Sequence, residues 1–214
     1  MKTTKAIQDV GFESTASQRR ARKIMGNNFF GIEEAIRHFG VNPTRQQLAA
    51  LSEIPFSEST LEQSKDTYVL VAVFPLSILD IRGKVEQKLF YGHEGAWYNG
   101  QAFAKERGEV NWQLVRKTPV DNSTSKDWQE QQALLSKDDE VPTAQVMVYT
   151  IIGHYLATGE HLFECTYVRT SSVDSDGFRV IVGRFGAGGL HVDDDWDVGR
   201  SDLLGVSSAR KFPA

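Results

Sequence analysis

Between Ser171 and Arg210 the chain has no Lys, Glu, Gln or Met, whereas residues 1–170 hold 39 of them (10 Lys, 14 Glu, 12 Gln and 3 Met), a density at which forty residues would carry about nine. These are among the better helix formers. The segment is built instead from Asp, Gly, Ser, Val, Arg and Leu with one Trp, and such a composition restricts it to short strands and turns. Lys, Glu, Gln, Met and Trp are also the residues that no codon ending in a pyrimidine encodes. A stretch written in NNC or NNT codons would look like this one, with Trp196 as a fixed exception.

The same segment alternates between two classes of residue. Val180, Val182, Gly183, Phe185, Leu190, Val192, Trp196, Leu204, Gly205 and Val206 form a pattern expected of a buried framework of strands and turns. Interleaved with them are Ile181, Arg184, Gly186, Ala187, His191, Asp193, Asp194, Asp195, Val198, Gly199, Ser201, Asp202 and Leu203. These thirteen are chemically miscellaneous, and each is compatible with an NNC codon.

The pattern VxVGxFxxxGLxVxxxWDxxRxxxLGVSSARK resembles the C-terminal variable region of target proteins of diversity-generating retroelements. The resemblance covers roughly residues 110–214 and is most specific over 178–211. It implies that adenines of AAC codons in a template are randomised and copied into the gene. It also implies an α+β, C-type lectin-like fold, with two helices, a small antiparallel sheet and long irregular loops, the chain ends lying close together. The thirteen interleaved residues become the expected ligand-contacting positions, on a variable region of about 178–205.

Composition narrows the alternatives. With 40% apolar residues in 214, the chain can bury a substantial core. A net charge of −4 argues against nucleic acid or an anionic membrane as the main partner. The single cysteine, Cys165, excludes an internal disulfide, a Cys-based zinc site and the cysteine chemistry of sulfatase-modifying enzymes, which share the lectin-like fold. In its LFECTYV setting it is expected to be a small buried apolar residue. Residues 1–26 lack the apolar core of a signal peptide, and no window approaches a membrane span. The expectation is a protein made in the cytoplasm and either kept there or built into a virus particle.

Along the chain, residues 1–27 read as a flexible basic leader and 28–65 as a small helical unit. The lectin-like domain then runs over 66–214. Helical spacing marks 29–39, closed by Gly40, and a second helix is expected with Asn42 as cap and Pro43 in the first turn. Residues 57–63 form a third short helix. Strands are expected at 67–74, 110–117, 168–171, 178–185 and 205–211, and helices at 124–135 and 142–162, with Gly- and Asp-rich loops between the last strands.

The remaining candidate sites are weaker. Asp193, Asp194, Asp195, Asp197 and Asp202 suggest calcium, but three consecutive residues of a strand cannot face one ion, so no metal and no cofactor is expected. Asp174-Ser175-Asp176-Gly177 starts like an EF-hand loop and lacks the acidic twelfth residue, which leaves a turn. His93 and Glu94 are the one pair a small hydrolase could use. Trp97, Trp112, Trp128 and Trp196 are expected as core anchors, and Asp197 is expected to close a turn by pairing with Arg200. The reading that best fits these observations is a non-enzymatic, monomeric binding protein. Its ligand is a protein or a glycan, held by a hypervariable surface. A calcium-dependent carbohydrate-binding lectin is the alternative.

Overall fold

The computed structural model describes residues 12–92 and 95–211. The leader up to residue 11 and the pair His93–Glu94 therefore lie outside the described residues. What remains of the leader is ordered. Helix α1 (Ala16–Met25) begins at a capping box in which Thr15 accepts from the Gln18 backbone and Gln18 reaches back to Thr15. Ala21 and Met25 are buried, so this stretch belongs to the core instead of forming a flexible tail. Strand β1 (Phe29–Phe30) takes the start of the segment expected to be helical, and α2 (Ile32–Phe39) follows, ending at Gly40 with φ 58°. Helix α3 (Arg45–Ala50) starts later than expected, because Thr44, and not Asn42, accepts from the Gln47 amide. Helix α4 (Glu58–Ser64) is capped by Ser57.

Strand β2 (Tyr68–Val73) is buried along its whole length, as its unbroken apolar run requires. Then come α5 (Ile78–Lys84), α6 (Ala102–Lys105), β3 (Asn111–Arg116), α7 (Trp128–Gln132), β4 (Asp139–Glu140) and α8 (Ala144–Thr158). Helix α7 is shorter than the sequence suggested. Its cap is Asp127, which accepts from Glu130 N, while Ser125 takes up a left-handed turn at φ 59°. The C-terminal segment supplies β5 (Tyr167–Val173), β6 (Arg179–Gly186), β7 (Gly189–Asp195), β8 (Leu204–Val206) and β9 (Ala209–Arg210). Strand β7 occupies what the sequence suggested was an Asp-rich loop.

The strands form two small mixed sheets, ordered β1-β2-β3-β9-β4 and β7-β6-β5-β8. Parallel pairing occurs between β1 and β2 and between β5 and β8. Helix α8 packs on β2 from the first sheet and on β5 and β6 from the second. Its sequence is apolar on every side, and all residues from Ala144 to His154 are buried. The Tyr149 hydroxyl donates to Ala72 O of β2 at 3.0 Å, and Gly153 lets the Phe30 ring approach the helix backbone, where an added Cβ would sit 3.0 Å from it. One continuous core includes Phe30 and Phe39 from the N-terminal helical region, Val71 from β2, and Val182 and Leu190 from the C-terminal sheet. The helical unit at 28–65 thus shares its interior with the rest of the chain. Tyr149→Phe should lower stability by about 1 kcal/mol, as for loss of a buried hydrogen bond, measurable by urea denaturation.

Candidate functional site

The register of the second sheet sorts the C-terminal residues by face. Tyr167 lies opposite Gly183, which lies opposite His191, and the next row is Arg169, Ile181 and Asp193. Val168, Val182 and Val192 alternate onto the other side, against the core. Of the ten expected framework residues, all but Trp196 are buried. Among the thirteen interleaved residues, Arg184, Ala187, Asp193, Val198, Asp202 and Leu203 are exposed and six more are half-buried; Ile181 alone is buried, at 7% exposure, beneath its neighbours on the outer face.

The outer face is organised around Arg169, whose side chain is fully buried. Nη1 donates to Lys126 O at 3.2 Å and to Gln131 Oε1 at 3.0 Å. Nη2 donates to Asp195 Oδ2 at 2.8 Å, to Trp196 O at 2.9 Å and to Gly199 O at 2.8 Å. Burial pushes the guanidinium pKa down and the Asp195 carboxylate opposes that shift. One cation therefore holds the end of β7, the 196–203 loop and α7 together. Two of the thirteen residues are drawn into this framework. Asp195 is the ion-pair partner. Gly199 is held so close that an added Cβ would lie 2.5 Å from Asp195 Oδ2.

A second group surrounds Tyr167. His191 stacks on Tyr91 with ring centroids 3.9 Å apart at 12°, and Tyr167 meets His191 edge-on at 6.0 Å. Arg184 lies over Tyr167 with its guanidinium 6.0 Å from the ring centroid. It comes from an irregularity in β6 where Gly183 has φ 150° and Arg184 has φ 46°. Burial and then the charge of Arg184 lower the His191 pKa, and burial and then Asp193 raise that of Tyr167. The strand carrying His191 is an edge. The Tyr91 amide covers it by donating to Leu190 O at 3.0 Å, and the Trp97 indole donates to Val192 O at 2.9 Å. This role accounts for Trp97 being partly exposed and not a core anchor.

Three further expectations are corrected by the geometry. Trp196 is 62% exposed, its ring resting on Phe178 at 4.6 Å between centroids. Asp197 pairs with Arg179 through two bonds of 3.1 Å, and Arg200 pairs with Asp127 and Glu130. Arg179, opposite Asp195 in the strand register, reaches Asp197 two residues on and lays its guanidinium 4.1 Å above the Trp128 ring. Cys165 is exposed, in the turn before β5.

Asp194 faces away from Asp193 and Asp195, on the side of Val180 and Val192. It meets Asp174, the buried residue whose Oδ1 accepts from Asp176 N and Phe178 N to shape the β5–β6 turn. Its pKa is pushed up to about 6, first by burial and then by the hydrogen bond and repulsion from Asp174. Among the described residues no three His, Cys, Asp or Glu side chains gather at metal-holding distance. An open groove of about 690 Å³, lined by Phe103, Lys105, Thr143 and Ser172 among others, lies at the opposite end of β5 from Tyr167 and includes none of the thirteen residues.

Sequence reasoning missed Tyr91, Trp97, Tyr167 and Arg169. A lone Arg in the apolar-rich TYVRT strand and an aromatic cluster in YGHEGAWY were the available signals. No family model, curated protein or solved structure matches the chain.

Arg169→Met should cost about 3–5 kcal/mol, because Asp195 would keep its partly buried charge with no partner. Arg200→Ala should cost no more than about 1 kcal/mol, as an exposed pair. Chemical denaturation of the two variants distinguishes them. Gly183→Ala should be at least as harmful as Arg169→Met, since its Cβ would lie 2.1 Å from Thr166 O.

The Asp194 carboxyl sets a pH dependence. Between the ordinary aspartate range near 4 and its value of about 6 in the folded protein, the native state binds a proton that the unfolded chain has released. Stability therefore falls as pH rises through that window and stays lower above it. Asp194→Asn should flatten this fall and melt higher than the parent at about pH 8, well above the titration of the folded group. Melting curves of equal slope against pH in the two proteins would refute the Asp174–Asp194 pairing.

Proposed function

We propose that this protein is a non-enzymatic binding protein that displays a hypervariable surface on a C-type lectin-like scaffold, diversified by a retroelement. The observation that carries the reading is the coincidence of two independent partitions. One is chemical, between residues compatible with NNC codons in a miscellaneous set and a regular apolar set. The other is spatial, between side chains on the outer face and loop and side chains in the core, with Asp194 on the core-facing side and Ile181 buried as the two exceptions. Strand alternation alone would produce the spatial partition. It would not empty forty residues of Lys, Glu, Gln and Met, which are common at exposed loop positions elsewhere in this chain.

The surface suits binding more than chemistry. Tyr91, Tyr167, His191 and Trp196 offer flat, partly exposed rings whose positions are set by backbone contacts, the arrangement that gives antibody-like paratopes large contact area at small entropic cost. Asp193 and Asp202 have no ion pair among the described residues, so this copy favours a ligand that supplies positive charge or donors.

Sequencing the gene and its flanks tests the proposal. A nearby repeat carrying AAC where the gene has NNC, beside a reverse transcriptase gene, is the expected result. Copies should differ most at Arg184, Ala187, His191, Asp193, Val198 and Asp202, and should keep Asp195 and Gly199. Variation spread evenly over Val182, Leu190 and Val206, or the lack of any such repeat, would overturn it.

A further inference from the structure

Trp196 is the one framework residue of the pattern that is not buried, and its surroundings explain how it stands out. Its carbonyl accepts from Arg169 Nη2 at 2.9 Å and from Gly199 N at 2.9 Å, closing a turn. The next residue is fixed twice, by Trp128 N donating to Asp197 O at 2.8 Å and by the Arg179–Asp197 pair. The backbone under the indole is thus fixed, while the ring is 62% exposed and packs against Phe178. A large aromatic held ready in this way loses little conformational freedom on binding. Beside it, Val198 is 76% exposed and Leu203 is exposed as well.

We propose that Trp196, flanked by Val198, is a constant anchor that enters an apolar cleft on a protein partner whose rim is basic. The inference rests on the recognition-surface reading above and adds to it a fixed point. Trp has no codon ending in a pyrimidine, so it persists while its neighbours change. Exposed Val198 and Leu203 favour an apolar protein cleft over a sugar. Arg179 and Arg200 are both neutralised within the chain, by Asp197 and by Asp127 with Glu130. Of the exposed charges of β6, β7 and the following loop that have no ion pair among the described residues, Asp193 and Asp202 are acidic and Arg184, which lies over the Tyr167 ring, is the base. A rim of Lys or Arg is the complement of the two aspartates. Central Trp residues surrounded by weaker contacts are the usual hot spots of protein interfaces.

A library of small three-helix domains with one randomised face, selected against the full chain, provides the probe. Selected domains are expected to carry Lys or Arg around an apolar cleft. Calorimetry should show at least about a tenfold loss with Trp196→Ala, a smaller loss with Trp196→Phe, and weaker salt dependence with Asp202→Asn. Because the indole is exposed, Trp196→Ala should leave the melting temperature unchanged, so lost binding is not lost folding. Selected domains that bind through Tyr91 and Arg184 and ignore Trp196 would remove the anchor and leave the recognition surface standing. Domains that select only other faces of the molecule would remove both. Self-association that depends on Trp196, seen by analytical ultracentrifugation, would make a second copy the occupant and overturn the basic partner.

Discussion

A buried guanidinium is costly, since a charge taken out of water is repaid only by close, well-directed partners. Arg169 meets that demand with five hydrogen bonds to two separate stretches of chain, 126–131 and 195–199, and the outer half of the C-terminal sheet depends on it. Without the cation, the 196–203 loop would have neither its ion pair at Asp195 nor the donors that gather its carbonyls. An apolar residue at 169 could pack between strands, but it could not hold three carbonyl oxygens in place.

Most of the acceptors do not depend on side-chain identity. Three of the five acceptors are main-chain carbonyls, of Lys126, Trp196 and Gly199, which exist whatever side chains those positions carry. The same strategy recurs around the surface. Tyr167 N donates to Leu203 O, Ser125 N to Ser201 O, Arg184 N to Thr166 O and the Trp97 indole to Val192 O. Backbone-directed bonds fix the path of the loop and strand without the side chains of Val198 and Asp202. Asp195 is the exception, because a buried cation requires one carboxylate.

Periodicity was a good guide where burial follows from it. The largely apolar 142–162 segment supplied the helix Ala144–Thr158, buried in the core from Ala144 to His154, Gly40 and Gly159 ended their helices in left-handed conformation, and alternation along 180–192 separated core from outer face. Errors came where a short polar side chain chose its own partner. Thr44 capped the helix that Asn42 was expected to cap, and Asp127 capped a helix expected to begin at 124 with Ser125 or Thr124 as its cap, because a cap is decided by which oxygen reaches the N3 amide. Asp-rich composition read as loop at 193–195, yet strand pairing with β6 overrode a weak local propensity.

The amino-acid sequence by itself determined the mixed helical and strand content and the apolar framework of the C-terminal segment, because each follows from local pattern. Only the tertiary structure decided that Trp196 stands in solvent, that Asp197 pairs with Arg179, that Tyr91 stacks on His191 and that Arg169 is interior. Those outcomes join residues up to a hundred positions apart. They depend on which loop covers which strand, and no local periodicity carries that information.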